Sequence, residues 1–380
     1  MTWKRVGLAR ILREVDIRDT KNETILSVYR EYGVVPKGSR EDNFNKTPVD
    51  TSLYKLVCQD DIVINKMKAW QGSLGRSEYR GIVSGDYLVC RVTAPEVLPR
   101  FLHFLLRSQP LIDEYGKRSS GIRPSQWRLY WEDLREIAIV LPPVPRQLAI
   151  ADFLDNETAR IDELMTRKRR LAALLRSRFL AEVRHRMGGL SRQYGDIALK
   201  RLVTCLDGKR IPLSSEERSY RSGPFPYFGA SGRIDSVDEY IFDETVVLLG
   251  EDGAQLADPD YEISFVVSGR AWVNNHAHVL RPTASDPWFL SFHLSTVDRI
   301  LIISGATREK ITQADMNEIP VPNVPITAQR RVSAELRHSQ SLMSACTQSL
   351  GRQIALLQEH RQALITAAVT GEIEIPGAAA

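Results

Sequence analysis

The stretch from Gln147 to about Arg186 constrains the fold of this chain more than any other, because a second version of it closes the sequence. It runs for about forty residues without Gly or Pro, and apolar residues return at steps of three and four, at Ile150, Leu154, Ile161, Leu164, Leu171 and Leu175. That spacing predicts a long helix with a narrow apolar stripe, the seam of a coiled coil rather than the broad face of a surface helix. A shift of 182 residues, which carries Gln147 onto Gln329, also carries Ile150 onto Val332, Leu154 onto Leu336, Ile161 onto Met343, Leu164 onto Cys346 and Leu175 onto Leu357. Each copy follows a Pro-rich stop, at Leu141–Pro145 and Pro320–Pro325. The chain therefore reads as an internal repeat, each half a globular part followed by a long helix. The expected boundaries are 1–145 for the first globular domain, 146–188 for the first helix, 189–326 for the second domain, and 327–380 for the second helix and tail.

At 380 residues the chain exceeds what one core holds, in agreement with two domains. Cys58, Cys90, Cys205 and Cys346 are far apart and form no CxxC pair, so neither a zinc site nor a disulfide framework is implied. No apolar run approaches a membrane span and the N-terminus lacks a signal-peptide core, so a cytoplasmic setting is expected. A net charge of +4 permits nucleic acid as a partner without requiring it.

Residues 1–145 read as mixed α/β, with β-rich runs at 61–64 and 87–92, a short apolar helix at 101–107 after Pro99, and a helical turn leading into a strand at 131–141. Three of its loops interleave cations with aromatic and amide side chains. They supply Lys37 and Arg40; Lys66, Lys68, Trp70, Gln71 and Arg76; and Arg123, Gln126 and Trp127. Cations suit phosphates, while Gln, Asn and Arg suit base edges. A mixed loop is also what any solvated surface presents, so composition alone leaves both readings open.

The second half repeats the plan. Leu199–Val203 echoes Leu8–Leu12, Glu244–Gly250 echoes Asp61–Met67, Pro287–Leu294 echoes Pro99–Leu106, and Asp315–Val321 echoes Asp133–Ile139. The loops between these echoes differ, and residues 224–235 have no counterpart in the first half. Similar scaffolds with different loops suggest one module addressing two ligands of the same class. Candidate contacts here are Lys209, Arg210, Tyr227, Ser231, Arg233, Trp272, Asn274, Asn275 and Arg308.

No catalytic constellation stands out. A GxxxxGK[ST] phosphate loop is absent, as is a GxSxG elbow. The LPPV run at 141–144 lacks both the polar first residue and the aromatic that an amino-methyltransferase motif needs for a flipped base. His276 and His278 sit two apart, on one face if their segment is a strand, but two histidines without a third ligand make a poor metal site.

Two variable modules, each followed by a Pro-rich strand end and a Gln-led long helix, resemble the specificity (S) subunits of type I restriction-modification systems. The residues carrying the likeness are VPRQLAIADFLDNETARIDEL at 144–164, TAQRRVSAELRHS at 327–339 and RQALITAAVTGEIEI at 361–375. YFGASGRID at 227–235, VLLGEDGA at 247–254 and VNNHAHVLRP at 273–282 add to it. The resemblance implies two target recognition domains separated by helices packed as an antiparallel coiled coil, each domain reading half of a bipartite site on double-stranded DNA. Forty residues at about 1.5 Å each give a rod of roughly 60 Å, somewhat under two turns of duplex. It further implies docking of methyltransferase (M) subunits, two per chain, and of restriction (R) subunits, with S-adenosylmethionine, ATP and magnesium on those partners and no catalysis in this chain. The basic run Arg167–Arg170 is either part of that docking face or a solvated helix face. The tail Glu372–Ile375 is expected to return to the first domain. A coiled-coil scaffold joining two protein-binding modules, and a self-contained nuclease with an unrecognised site, are the remaining alternatives. Steep salt dependence distinguishes DNA binding from the first of these.

Overall fold

The computed structural model describes residues 3–18, 20, 23–30, 32–39, 50–123, 126–252, 256, 258, 261–299 and 310–375. It divides into two units, Met1–Arg167 with Gln353–Ala380, and Lys168–Arg352. The architecture is mixed helix and strand in both.

The first unit is centred on four antiparallel strands, β1 (Leu12–Glu14), β2 (Ile62–Asn65), β3 (Leu74–Arg76) and β4 (Tyr87–Val92), in the order β1-β4-β2-β3. Alternate residues of the central strands enter different cores, as a pleat with period two requires. Ile62, Ile64, Leu88 and Cys90 join the core under helix α1 (Pro99–Leu106), whereas Val63 and Val89 meet Leu26, Val28, Val34, Val57 and Val83. Both faces are covered, so these strands read as unbroken apolar runs rather than as alternation.

The second unit has eight strands among its main elements: β5 (Val203–Cys205), β6 (Ser222–Gly229), β7 (Gly232–Val237), β8 (Phe242–Asp243), β9 (Val246–Gly250), β10 (Ser264–Val267), β11 (Arg270–Val273) and β12 (Ala277–Pro282). Its principal sheet, β5-β12-β9-β10, repeats the strand order of the first unit. Val247, Leu249 and Leu280 face helix α3 (Pro287–Thr296), and Val246, Leu248 and Val279 face the other way. The unmatched residues around 224–235 form the hairpin β6–β7, part of a second sheet ordered β7-β6-β11-β8.

The echo of Asp61–Met67 in Glu244–Gly250 is corrected by two residues. Ile62 pairs with Cys90 and Val247 with Leu280, while Cys90 and Leu280 themselves face the equivalent edge residues Glu14 and Cys205. Asn65 is therefore the counterpart of Gly250. A slip of two preserves the inward and outward alternation, which is why apolar pattern alone does not reveal it.

The two long helices are α2 (Val144–Tyr194) and α4 (Ile326–Thr370), in chain order with α3 between them. In the first unit the start of α2 meets the end of α4: Ile150, Ala151 and Leu154 share a core with Ile365, Ala368 and Val369, and Arg361 pairs with Asp162 at 3.1 Å. In the second unit the end of α2 meets the start of α4, with Phe179, Leu180, Val183 and Met187 against Leu336, Val332 and Met343. The pairing is antiparallel in both. α2 does not stop at 188 as expected but runs through Gly188 and Gly189 to Tyr194. It ends where Gly195 takes φ +69°, the left-handed conformation glycine adopts without a Cβ penalty.

The seam follows a stricter heptad than the apolar residues suggested. Ile150, Leu154 and Ile161 are buried and Leu175, Val332, Met343 and Leu357 half-buried, with Leu336 fully enclosed. Leu164, Leu171 and Cys346 are exposed, a correction to the expected seam. The steps of four and three pass instead through Thr158, Met165, Ala172 and Phe179 on α2 and through Thr347 and Leu350 on α4. Geometry selects the buried position, and a small or polar residue can occupy it.

Each long helix is fixed at its start by the glutamine that leads it. Gln147 is 1% exposed; its Oε1 accepts from Leu98 N (2.8 Å) and its Nε2 donates to Glu96 O and Pro142 O (both 2.9 Å). Gln329 repeats this, accepting from Ser285 Oγ (2.7 Å) and Asp286 N (2.8 Å) and donating to Val324 O (2.7 Å). Each amide bridges the Pro-rich turn to the N-terminus of α1 or α3, satisfying main-chain groups that a helix start leaves open. The described part of the tail returns to the first unit by packing: Ile375 is buried and Ile373 partly buried in its core, and Gly371 at φ +80° lies against Trp3.

Candidate nucleic-acid interface

In both units several of the candidate residues gather where the central strand ends beside the turn that enters its neighbour. In the second unit β9 ends at Gly250, whose place a Cβ could not share, since it would lie 2.8 Å from Ala230 O in the β6–β7 turn. Phe228 O accepts from Asn274 N (3.0 Å), bringing the turn between β11 and β12 alongside. Glu251 N then donates to His276 O (2.9 Å), and Glu251 O accepts from Ile311 N (2.9 Å). Three separate loops are thus tied through one residue.

Beneath them lies a network of charges. Arg210 donates to Glu251 (2.6 Å) and to Ala277 O (2.9 Å) and pairs with Asp207 (3.3 Å). Lys310 closes on Glu251, and buried His278 lies between Asp207 (2.6 Å) and Ile311 O (2.9 Å). Burial opposes ionisation of Glu251, but hydrogen bonds from Lys310 and Arg210 outweigh it and hold the carboxyl below its ordinary range. Asp207 behaves alike: burial raises it, and His278 and Val279 N lower it further.

The first unit repeats the main-chain plan with different side chains. Lys66 N donates to Asp86 O (3.2 Å) and Lys66 O accepts from Leu129 N (2.9 Å), the same two bonds that Glu251 makes. Around Lys66 stand Trp70 and Trp127, edge to face with centroids 5.7 Å apart, and Arg128, paired with Asp86 at 3.2 Å. Trp70 Nε1 donates to Met67 O (3.0 Å), so its ring is fixed. Burial, and then the charge of Lys55, lower the Lys66 ammonium from its ordinary range.

This brings Lys66, Lys68, Trp70, Gln71 and Trp127 to one end of the sheet in the first unit, with Lys68 exposed. Arg123 and Gln126 are exposed on the loop that leads into Trp127. Arg76 is not with them: β3 places it opposite Ile62, at the start of β2, where Asp60 (3.0 Å) and Glu78 (2.6 Å) take its guanidinium. Lys37 stands on a separate hairpin, Leu26–Tyr29 with Gly33–Pro36, and Arg40 lies outside the described residues.

In the second unit Lys209, Ser231, Arg233 and Asn275 are exposed around the loops just described. Four expected contacts are corrected. Tyr227 is 1% exposed with its hydroxyl on Leu213, Trp272 is 4% exposed with Nε1 on Ile211 O (2.7 Å), and Arg210 is spent on carboxylates of its own chain. Asn274 is also buried, and its Oδ1 shapes the turn by accepting from His276 N (2.9 Å). These residues build the platform without presenting their polar groups. Arg308 lies outside the described residues. Sequence reasoning missed Asp207 as an organiser of the second site, because its partners His278 and Val279 lie 71 and 72 residues away. His276 and His278 do not act as a pair, one turning to Asp252 and the other to Asp207. Among the described residues no three metal-ligating side chains converge, and no helix is long and apolar enough to cross a membrane.

Residues 193–355 match the family described as Type I restriction modification DNA specificity domain. A Haemophilus influenzae protein provisionally named a type I restriction enzyme specificity subunit is 32% identical over 135 residues, which make up 35% of this chain and 34% of that protein. The match therefore spans about a third of that relative's length. A chain solved in work on complex assembly and conformational transition of the type I R-M system superposes with a TM-score of 0.63 at 18% identity, covering 98% of both chains, a likeness of fold.

Proposed function

We infer that this chain belongs to the type I restriction-modification specificity family, that it is the DNA-recognising subunit of such a system, and that it performs no chemistry itself. The observation that carries the reading is the repeated platform: the same two main-chain bonds at Lys66 and at Glu251, surrounded by different exposed side chains. One scaffold that carries two loop sets suits two different half-sites on double-stranded DNA, with phosphates held by cations such as Lys68 and Lys209 and base edges read by neighbouring amides. The paired helices α2 and α4 set the unread gap between the half-sites. On α2, Leu171 and Leu174 are exposed beside Arg170 and Arg178, a mixed apolar and basic face suited to docking a protein partner. Methyltransferase subunits, two per chain, and restriction subunits are the partners expected there, bringing S-adenosylmethionine, ATP and magnesium. The setting is the cytoplasm, where the host DNA lies.

Co-expression with the cognate methyltransferase subunit and mapping of adenine methylation tests this. A two-part motif with a fixed gap is expected, together with binding that weakens steeply as salt rises. A stable complex that adds no methylation and binds DNA without salt dependence contradicts it.

A further inference from the structure

On the second platform His276 has a side chain that is both oriented and presented. Its main chain is held on every side. The amide donates to buried Asn274 Oδ1 (2.9 Å), the carbonyl accepts from Glu251 N (2.9 Å), and Arg210 fixes the next carbonyl, that of Ala277 (2.9 Å). The ring turns towards Asp252, whose two carboxylate oxygens stand 3.0 and 2.9 Å from Nδ1. Asp252 is itself only 12% exposed and is bridged through its backbone to Lys310. The imidazole is 45% exposed, and its Nε2 makes no hydrogen bond among the described residues.

A carboxylate accepts only, so the proton of a neutral ring is drawn to Nδ1 and Nε2 is left as a bare acceptor. An acceptor held at a fixed height on a platform discriminates between bases. It suits the amino groups that adenine and cytosine show in the major groove, and it opposes the acceptor atoms of guanine O6 and thymine O4. A phosphate contact would require a donor at this position and would not need the tautomer to be fixed.

We propose that His276, with its tautomer set by Asp252, is a specificity-determining residue of the second recognition module that accepts a hydrogen bond from the exocyclic amino group of adenine or cytosine. In this account Asp252 is a positioning residue. The inference rests on the DNA-recognition reading above and adds a named base chemistry to it. The corresponding residue of the first platform is Asp86, engaged by Arg128, so the two modules differ at this position.

The test is methylation mapping with the full chain and its methyltransferase subunits, comparing wild type with His276→Ala, His276→Gln and Asp252→Asn. His276→Ala is expected to relax discrimination at one position of one half-site by about 10-fold, with the gap and the other half-site unchanged. His276→Gln, which keeps an acceptor, retains the preference in part. Asp252→Asn offers an amide donor to Nδ1, which frees the proton for Nε2 and shifts the preference at that same position towards guanine or thymine. A wild-type motif in all three variants, or an even loss at every position, overturns the proposal while leaving the bipartite motif of the wild type intact. If His276→Ala fails to assemble, His276→Gln and Asp252→Asn decide. Absence of any bipartite motif in the wild type removes the reading on which the proposal stands.

Discussion

The two platforms share a backbone and differ in charge. Where β2 ends, Lys66 is a cation among Lys55, Arg128 and two tryptophans; where β9 ends, the equivalent Glu251 is an anion held by Arg210 and Lys310. The main-chain bonds on either side are the same pair. Geometry is thus carried by amides and carbonyls, which every residue except proline supplies in full, and the side chains are left to vary with what is read. The second unit also adds the hairpin β6–β7 beside its platform, where Tyr227 of β6 is buried with Trp272 of β11.

If the halves are equivalent scaffolds, matched substitutions should cost alike. Phe101 and Phe289 occupy the same place in α1 and α3, both fully buried. Phe101→Ala and Phe289→Ala are each expected to cost about 3–5 kcal/mol, read by chemical denaturation of the full chain. A cost confined to one half would break the equivalence.

The platforms should part company next. Arg210→Ala leaves Glu251 and Asp207 with fewer partners in a buried site and is expected to destabilise the second unit by about 3 kcal/mol, visible as faster local hydrogen exchange. An unchanged exchange pattern combined with weakened DNA binding would restore Arg210 as a contact. The glutamine clamps come after it: Gln147→Leu and Gln329→Leu each strand buried main-chain groups and should cost about 2 kcal/mol, again equally.

Acid sharpens the contrast. Glu251 and Asp207 have carboxyls held below their ordinary values of 4.5 and 3.8. Their contribution is complete above those values and is lost as pH falls through the lower folded ones. Unfolding followed from pH 7 to pH 3 should therefore show a steepening below about pH 4.5 that Glu251→Gln reduces. The smallest effect is expected at the rim, where Lys68→Ala leaves stability unchanged and lowers the slope of log affinity against log salt by about one.

Much of the architecture was legible because it rests on periodicity and repetition. The glutamine-led helices, the Pro-rich stops and the echo of PRFLHFLL in PWFLSFHL all survive in the structure, since buried helices impose strict spacing. The site was less legible. Trp70 and Trp127, read as members of two separate loops, stand edge to face, whereas Tyr227, Trp272 and Arg210 turn inward. An aromatic or an arginine serves a core edge as readily as a ligand, and which it serves depends on partners outside its own loop, such as Leu213 for Tyr227, 14 residues away, and Glu251 for Arg210, 41 residues away. The seam erred for a related reason: Leu164 and Leu171 are apolar, but Met165 and Ala172 hold the inward angle.

The central claim is that each half reads its own part of one DNA site. The most direct test replaces residues 1–145 with the corresponding module of a different specificity subunit and maps methylation in cells that carry the cognate methyltransferase. The account predicts that one half of the motif changes while the other half and the gap between them stay as they were. A change in both halves or in the gap, or an unaltered motif, would contradict it.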